Sequence, residues 1–253
     1  MTGISAVIIT RNEAHNIERC ITSLKGVVDE VVVVDAESDD ATRTIAEAAG
    51  ARVIVRPWTG YSDQKNFANA LAQGEYILSM DADEALSEVL KASLHEAISK
   101  GLVGAYRFNR LTNYCGTWVR HGGWYPDAKV RLFPRGAASW EGAHVHEELR
   151  LEPNTRIEQL QGDLLHYSYP TVQAHRDRIE RYSDLHARKM FSEGKRTNVL
   201  KRWFSPAVKF IQSYVLRMGM LDGAAGWSIA KLSARAVFLK YAKLERLHRG
   251  EAT

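Results

Sequence analysis

Residues 76–86 read YILSMDADEAL. Tyr76, Ile77, Leu78 and Met80 suit a strand covered on both faces. Asp81, Asp83 and Glu84 then fall within four positions. Carboxylates crowded at the mouth of an apolar strand disfavour one another's charge, so the arrangement calls for something cationic. A plainer reading stands beside it, because acidic pairs often simply cap the next helix.

Outward from this stretch the chain alternates. ISAVIIT (4–10), DEVVVVD (29–35), ARVIVR (51–56) and EYILSMD (75–81) are β-branched apolar runs. Helical patterns at about 13–25, 40–49 and 62–73 separate them. Strands alternating with helices of this length predict βαβ units and an α/β fold with a mostly parallel sheet. Asn12 is placed to cap the first helix, and Asp39 or Asp40 the second. Short strands follow near 104–109, 129–133 and 144–151, broken by HGGWYPD and FPRG. From 171 the pattern is helical nearly to the end, with Pro206 early in one segment and Gly219, Gly223 and Gly226 marking a turn. The expected division is 1–170, itself halved at about 100, followed by a helical 171–253.

Composition sets the outer limits. A chain of 253 residues, 45% of them apolar, can bury a real core. Cys20 and Cys115 show no metal-binding spacing, which favours a reducing cytoplasm. The opening MTGISAVIITRNE lacks the basic flank and apolar length of a signal peptide, and no run reaches membrane-spanning length. Residues 1–170 carry 17 Lys/Arg against 23 Asp/Glu, whereas 171–253 carry 17 against 7. Such asymmetry predicts different partners for the two stretches.

Ligands of open α/β sheets bind at the carboxyl ends of the strands. Those ends hold Thr10 to Glu13, Asp35 with Ser38 to Asp40, and Asp81 to Glu84. Neither a G-x-G-x-x-G nor a G-x-x-x-x-G-K-[ST] loop is present to cradle phosphate. The expected holder of a phosphorylated ligand is therefore Mg2+ or Mn2+ on the Asp-x-Asp, completed by phosphate oxygens and water. A phosphatase of the haloacid-dehalogenase type would carry D-x-D on its first strand. Here it ends the fourth.

Four motifs occur in order: AVIITRNEAHNIERCITSL, EVVVVDAESDDATRTIAEAAGARV, QKNFANALAQGEYILSMDADEAL and RHGGWYPDAKVRLFPRG with HVHE. Together they resemble the inverting family-two glycosyltransferases of the GT-A fold, closest to bacterial enzymes that add β-1,4-glucose to lipopolysaccharide-core heptose. The resemblance implies a nucleotide-diphospho-sugar transferase sheet flanked by helices, with a helical C-terminal appendage. Thr10, Asn12 and Glu13 would line a nucleotide pocket, Asp35 would bond uracil or ribose, and Lys65 would lie near the nucleotide. Asp81 would meet the ribose or a metal-bound water, and Asp83 would ligate the metal. His166 in LLHYSY is a candidate further ligand, although a lone histidine in an apolar run is more often structural. The family's Asp-x-Gly-Ser-x-Asp reads Asp35-Ala36-Glu37-Ser38-Asp39-Asp40 here, and Glu37 replaces a glycine able to take positive φ.

Aromatic faces suit the C–H surface of a sugar, so Arg120, Trp124 and Tyr125 are acceptor candidates, although the two rings would equally seal the edge of a sheet. An inverting transfer needs a base for the acceptor hydroxyl, and Glu147 is the first choice with Asp127 in reserve. The expected partners are a UDP-sugar, a lipid-linked lipopolysaccharide-core acceptor and the inner face of the inner membrane. Lys201, Arg202, Lys209 and Arg217, interleaved with aromatics, would meet anionic lipid. Packing on the same chain or in a homodimer explains the apolar positions equally. Nucleic acid is disfavoured by the acidic sheet edge. A sugar-phosphate nucleotidyltransferase and a non-catalytic membrane- or nucleic-acid-binding protein are the rival readings.

Overall fold

A computed structural model of the chain describes residues 3–142 and 147–251. The first strands and helices follow the alternating pattern closely: β1 (Ile4–Thr10), α1 (Ile17–Ser23), β2 (Glu30–Asp35), α2 (Thr42–Ala48), β3 (Arg52–Val55), α3 (Tyr61–Leu71) and β4 (Tyr76–Asp81). A three-residue β5 (Glu84–Leu86) and α4 (Glu88–Lys100) come next. Then follow β6 (Ala105–Tyr114), β7 (Thr117–Val119), β8 (Asp127–Pro134), β9 (Ala138–Glu141), β10 (Glu148–Leu151) and β11 (Ile157–Tyr169). Three long helices close the chain: α5 (Val172–Ser192), α6 (Val199–Ile211) and α7 (Gly223–His248).

The chain divides into two compact units, Met1–Arg110 with Asp127–His166, and Leu111–Pro126 with Tyr167–Thr253. A single cut near residue 170 does not describe this, because β6 and β11 each run through the boundary. The sheet order is β3-β2-β1-β4-β8-β6-β11-β5. β1, β2, β3 and β4 pair in parallel. β8 joins β4 and β6 antiparallel, and β5 joins β11 antiparallel. The sheet is therefore mixed, with its parallel half made from the βαβ units.

Burial explains the strand compositions. Ile4, Ala6, Ile8, Val33, Leu78 and Met80 face one layer of core, and Val7, Val32, Val34 and Ile77 the other. A strand covered on both faces has no reason to alternate with polar residues. α4 and the long β11 were not evident from the sequence. Ser87 caps α4, its hydroxyl accepting from the Leu90 N–H at 3.2 Å, while the Asp163 N–H donates to the same oxygen at 3.1 Å. The second unit is helical apart from the ends of β6 and β11 and the short β7. Among the described residues no helix is long and apolar enough to cross a membrane.

β11 lies so close to α4 that one position tolerates only glycine. Gly162 has φ +89°, and a Cβ there would sit 2.3 Å from the Leu90 nitrogen. Gly26 shares the positive φ (+80°) but has nothing within 4 Å. Gly162→Ala should destabilise the protein by roughly 2–5 kcal/mol through strain plus overpacking. Gly26→Ala should lose only about 1–2 kcal/mol from left-handed strain. Thermal denaturation of the two variants checks this, and equal Tm values would contradict the close approach.

Candidate functional site

The parallel strands bring three polar ends to one edge of the sheet. Thr10 is registered with Asp35, and Ile9 with Asp81. The Thr10 hydroxyl is buried and has no hydrogen-bond partner among the described residues. Asn12 does not cap α1, whose N-cap is Asn16. It takes φ +55° instead, as asparagine does more readily than most residues. Its N–H donates to Ser38 Oγ at 2.9 Å and its Oδ1 accepts from the Asp39 N–H at 3.0 Å, tying the β1 and β2 loops together. Asp40 accepts from the Ala14 and Thr42 N–H groups, but neither it nor Asp39 caps α2, whose N-cap is Ala41.

Fully buried Asp35 accepts from the Ser38 N–H at 2.9 Å and from the Ser38 hydroxyl, which is turn chemistry. Glu37 takes φ +55°, so the loop keeps a left-handed residue although glycine is gone. Glu13 accepts from Asn16 Nδ2 at 2.7 Å. Burial pushes its carboxyl pKa up, the Asn16 bond opposes this, and the neighbouring Asp83 charge adds to the rise.

Beyond β4 the acid cluster separates into two roles. Asp81 Oδ1 lies 3.0 Å from Lys65 Nζ, and its Oδ2 lies 2.7 Å from Arg131 Nη2. Glu84, fully buried, lies 2.5 Å from the same guanidinium and 3.6 Å from Arg110. It also accepts from the Asp81 N–H at 3.0 Å. Burial alone would raise the Asp81 pKa, but Arg131 and Lys65 outweigh it and hold the carboxyl well below its usual range. Burial likewise works against a charged Arg131, and the two carboxylates overcome it. The crowding of Asp81 and Glu84 is thus balanced by the chain's own cations. For these two carboxylates the cation that the sequence called for is supplied by Arg131 and Lys65.

Local structure supplies those cations. Along β8, Leu132 pairs with Tyr106 and Val130 with Arg107, so the ladder skips Arg131. Such a bulge re-aims one side chain, and this one faces the end of β4. Lys65 lies on the inward face of α3 with Gln64, Ala68 and Asn69. It is buried rather than solvated, and its ammonium sits 4.2 Å over the Trp140 ring. Asn66, one residue on, anchors the Trp140 main chain, accepting from its backbone N–H and donating to its carbonyl, both at 2.8 Å.

A cavity of about 550 Å³ opens here, lined by Lys65, Asp81, Arg131, Trp140, Glu147 and Lys129 among others. Glu147 directly precedes β10, and its carboxylate lies 3.9 Å from Lys65. Residues 143–146, part of the strand expected at 144–151, lie outside the described residues. Asp127 is gripped by Arg110 at 2.7 Å and Lys129 at 3.0 Å. Burial raises its pKa, but Arg110 and Lys129 prevail and hold it below the ordinary value.

Asp83 takes the other role, with Oδ2 3.2 Å from His166 Nε2. Among the described residues no group of three or more His, Cys, Asp or Glu side chains is arranged to hold a metal ion. A carboxylate beside an imidazole nevertheless fits a divalent ion that takes its remaining ligands from substrate and water.

Arg120, Trp124 and Tyr125 belong to the second unit. Trp124 packs edge-on to Tyr114 and beside Tyr169 and His175. Burial, assisted by Arg178, lowers the His175 pKa to about 4, so this aromatic cluster holds a neutral ring. Tyr125 precedes a cis proline, and the Arg120 guanidinium lies 5.4 Å from its ring.

Sequence reasoning missed Arg131, Arg110 and Trp140, and placed Glu84 in the acid cluster without giving it a role. One signal was available. An arginine inside the apolar VRLF run of a central strand needs a buried carboxylate partner.

Comparison with known proteins agrees with this architecture. The glycosyl transferase family 2 profile matches residues 5–148, more than half of the chain. A glycosyltransferase of Rickettsia bellii (strain RML369-C), itself uncharacterized, is 32% identical over 96% of this chain and 86% of its own. The lipopolysaccharide core biosynthesis glycosyltransferase LpsC of Rhizobium meliloti (strain 1021) is 30% identical over 97% and 93%. The fold resembles glucosyl-3-phosphoglycerate synthase from Mycobacterium tuberculosis solved with phosphoglyceric acid, at TM-score 0.50 and 19% identity over 72% of this chain and 78% of that one. With the family profile over the parallel half of the sheet and relatives aligned nearly end to end, the chain belongs to glycosyl transferase family 2.

Proposed function

We propose that this glycosyltransferase moves a sugar, glucose in the leading reading, from a UDP-sugar to a hydroxyl of lipopolysaccharide inner-core heptose with inversion. The supporting observation is the meeting of Glu147, Lys65 and Asp81 in one cavity at the end of β4. The likeness to LpsC supports the acceptor class. Such an acceptor is lipid-linked, so the enzyme works at the inner face of the inner membrane.

In this reading Thr10, Asn12, Glu13 and Asp35 form the nucleotide pocket, and the Thr10 hydroxyl, unpartnered among the described residues, is available to a ligand. Asp83 and His166 hold Mn2+ or Mg2+, and Mn2+ is favoured because Mg2+ prefers an all-oxygen shell. When bound, the ion neutralises the departing diphosphate. Asp81, with both oxygens engaged by Lys65 and Arg131, keeps the strand end in place.

Glu147 takes the proton of the acceptor hydroxyl as that oxygen attacks the anomeric carbon. The bond from that carbon to the diphosphate oxygen breaks, and UDP leaves. Lys65, buried within the same cavity, offers positive charge to the developing anion. Asp127 suits the base role poorly, because a carboxylate stabilised by two cations has little affinity for a proton. Its place in this reading is to hold Arg110.

Two measurements follow. Glu147→Gln should lower kcat by roughly 10²–10⁴-fold with UDP-glucose affinity nearly unchanged, and Asp127→Asn should retain far more turnover. The reverse ranking would transfer the base role to Asp127. Asp83→Ala should abolish the additional thermal stabilisation that Mn2+ gives in the presence of UDP. Wild-type turnover in excess chelator would remove the metal from the account.

A further inference from the structure

α6 is built inside out. In a water-exposed amphipathic helix the apolar stripe faces the core and the charged stripe faces solvent. Here Leu200, Phe204, Val208 and Ile211, spaced by three or four residues, form one stripe, and all are exposed. Leu200 is 67% and Phe204 65% accessible. No residue of α6 is buried.

The opposite side, Arg202 and Lys209, is turned toward the other helices of its unit, and Lys201 lies exposed at its border. Arg202 pairs with Glu245 of α7, and the Lys201 ammonium lies 5.6 Å from the Tyr241 ring. Lys209 lines a cavity of about 460 Å³ with Arg178 and Tyr182 of α5 and Lys240 of α7. The apolar surface continues past the helix through Val215, Leu216, Met218, Met220 and Leu221, and Leu216 is 72% exposed. An exposed apolar surface this extensive marks an interaction site.

Charge selects the occupant. From residue 194 to 221 the sequence carries six Lys or Arg and no Asp or Glu. A second copy docked on this face would set Lys201 and Arg217 against the same two cations, with no acidic residue between 194 and 221 to answer them. An anionic surface would attract them, and Lys201 and Arg217, exposed beside the apolar stripe, reach its headgroups while their stems lie on apolar surface. Exposed Trp203 and Trp227 have the apolar body and polar N–H suited to a membrane interface.

We infer that the apolar face of α6, with the turn at residues 215–221, inserts into the interfacial layer of an anionic lipid bilayer. The inference rests on the geometry of this unit and is independent of the chemistry assigned to Glu147. It also changes which residues meet the lipid, since Arg202 and Lys209, expected at the surface, face inward and the apolar residues carry most of the contact.

The test is co-sedimentation of the full chain with vesicles of phosphatidylcholine, alone or mixed with phosphatidylglycerol. Wild type should pellet with the mixed vesicles and less with the neutral ones. The triple variant Leu200→Glu, Phe204→Glu, Leu216→Glu should bind at least roughly 100-fold more weakly while keeping the wild-type melting curve, because these side chains are already exposed. Lys201→Gln with Arg217→Gln should weaken binding by roughly fivefold per cation. In salt near 1 M, where the Debye length is about 3 Å, part of the wild-type binding should persist. Undiminished binding by the triple variant, or no binding by wild type to either vesicle, overturns the inference. Equal binding to neutral and mixed vesicles overturns the anionic assignment. A lipid-free dimer that the triple variant dissociates, seen by light scattering, would assign the face to a second copy.

Discussion

The end of β4 depends on one guanidinium. Arg131 places a single buried positive group between Asp81 and Glu84, and Lys65 completes the balance from α3. Removing one partner of a buried ion pair leaves an uncompensated charge, which is far worse than never having had the pair. Three elements converge on this point: the strand that ends there, the bulged strand that supplies Arg131, and the helix that supplies Lys65. Glu84 opens β5, which pairs with β11 and so sets His166 opposite Glu84 and within reach of Asp83. The members of the acid cluster therefore face different partners, Asp81 and Glu84 meeting Arg131 and Asp83 meeting His166.

The parallel half of the sheet was legible because its physics is local. β-branched runs bounded by helical patterns admit few arrangements, and β1, β2, β3 and β4 formed where those runs lie. The candidate residues at their carboxyl ends gather at one edge for the same reason. What the sequence concealed was non-local. The partner of Asp81 lies fifty positions away, on a strand whose bulge no turn signal announces. A long strand such as β11, with Gln159, Gln161 and Asp163 among its apolar residues, reads as loop until its neighbours are known. Asn12 was read as a cap because a polar residue after a strand commonly is one. Its side chain instead ties two loops together.

The two units solve opposite solvation problems. In the first, Asp81, Glu84 and Arg131 are drawn inward and answer one another, so a cation-rich cavity forms beside paired acids. In the second, the cations of α6 are drawn toward neighbouring helices and apolar side chains are left outside. Composition alone cannot separate these arrangements. The +10 balance of the final third of the chain suggested surface charge, whereas helix orientation turns part of that charge away from the surface.

Equilibrium denaturation of Arg131→Met, alone and combined with Glu84→Gln, tests the central claim that this cluster fixes the end of β4. The single variant should lose roughly 3–5 kcal/mol, since two buried carboxylates lose their common partner. Adding Glu84→Gln removes one stranded charge, so the double variant should be less destabilised than the sum of the two single changes. An Arg131→Met protein within about 0.5 kcal/mol of wild type, the range of an ordinary surface substitution, would contradict the account.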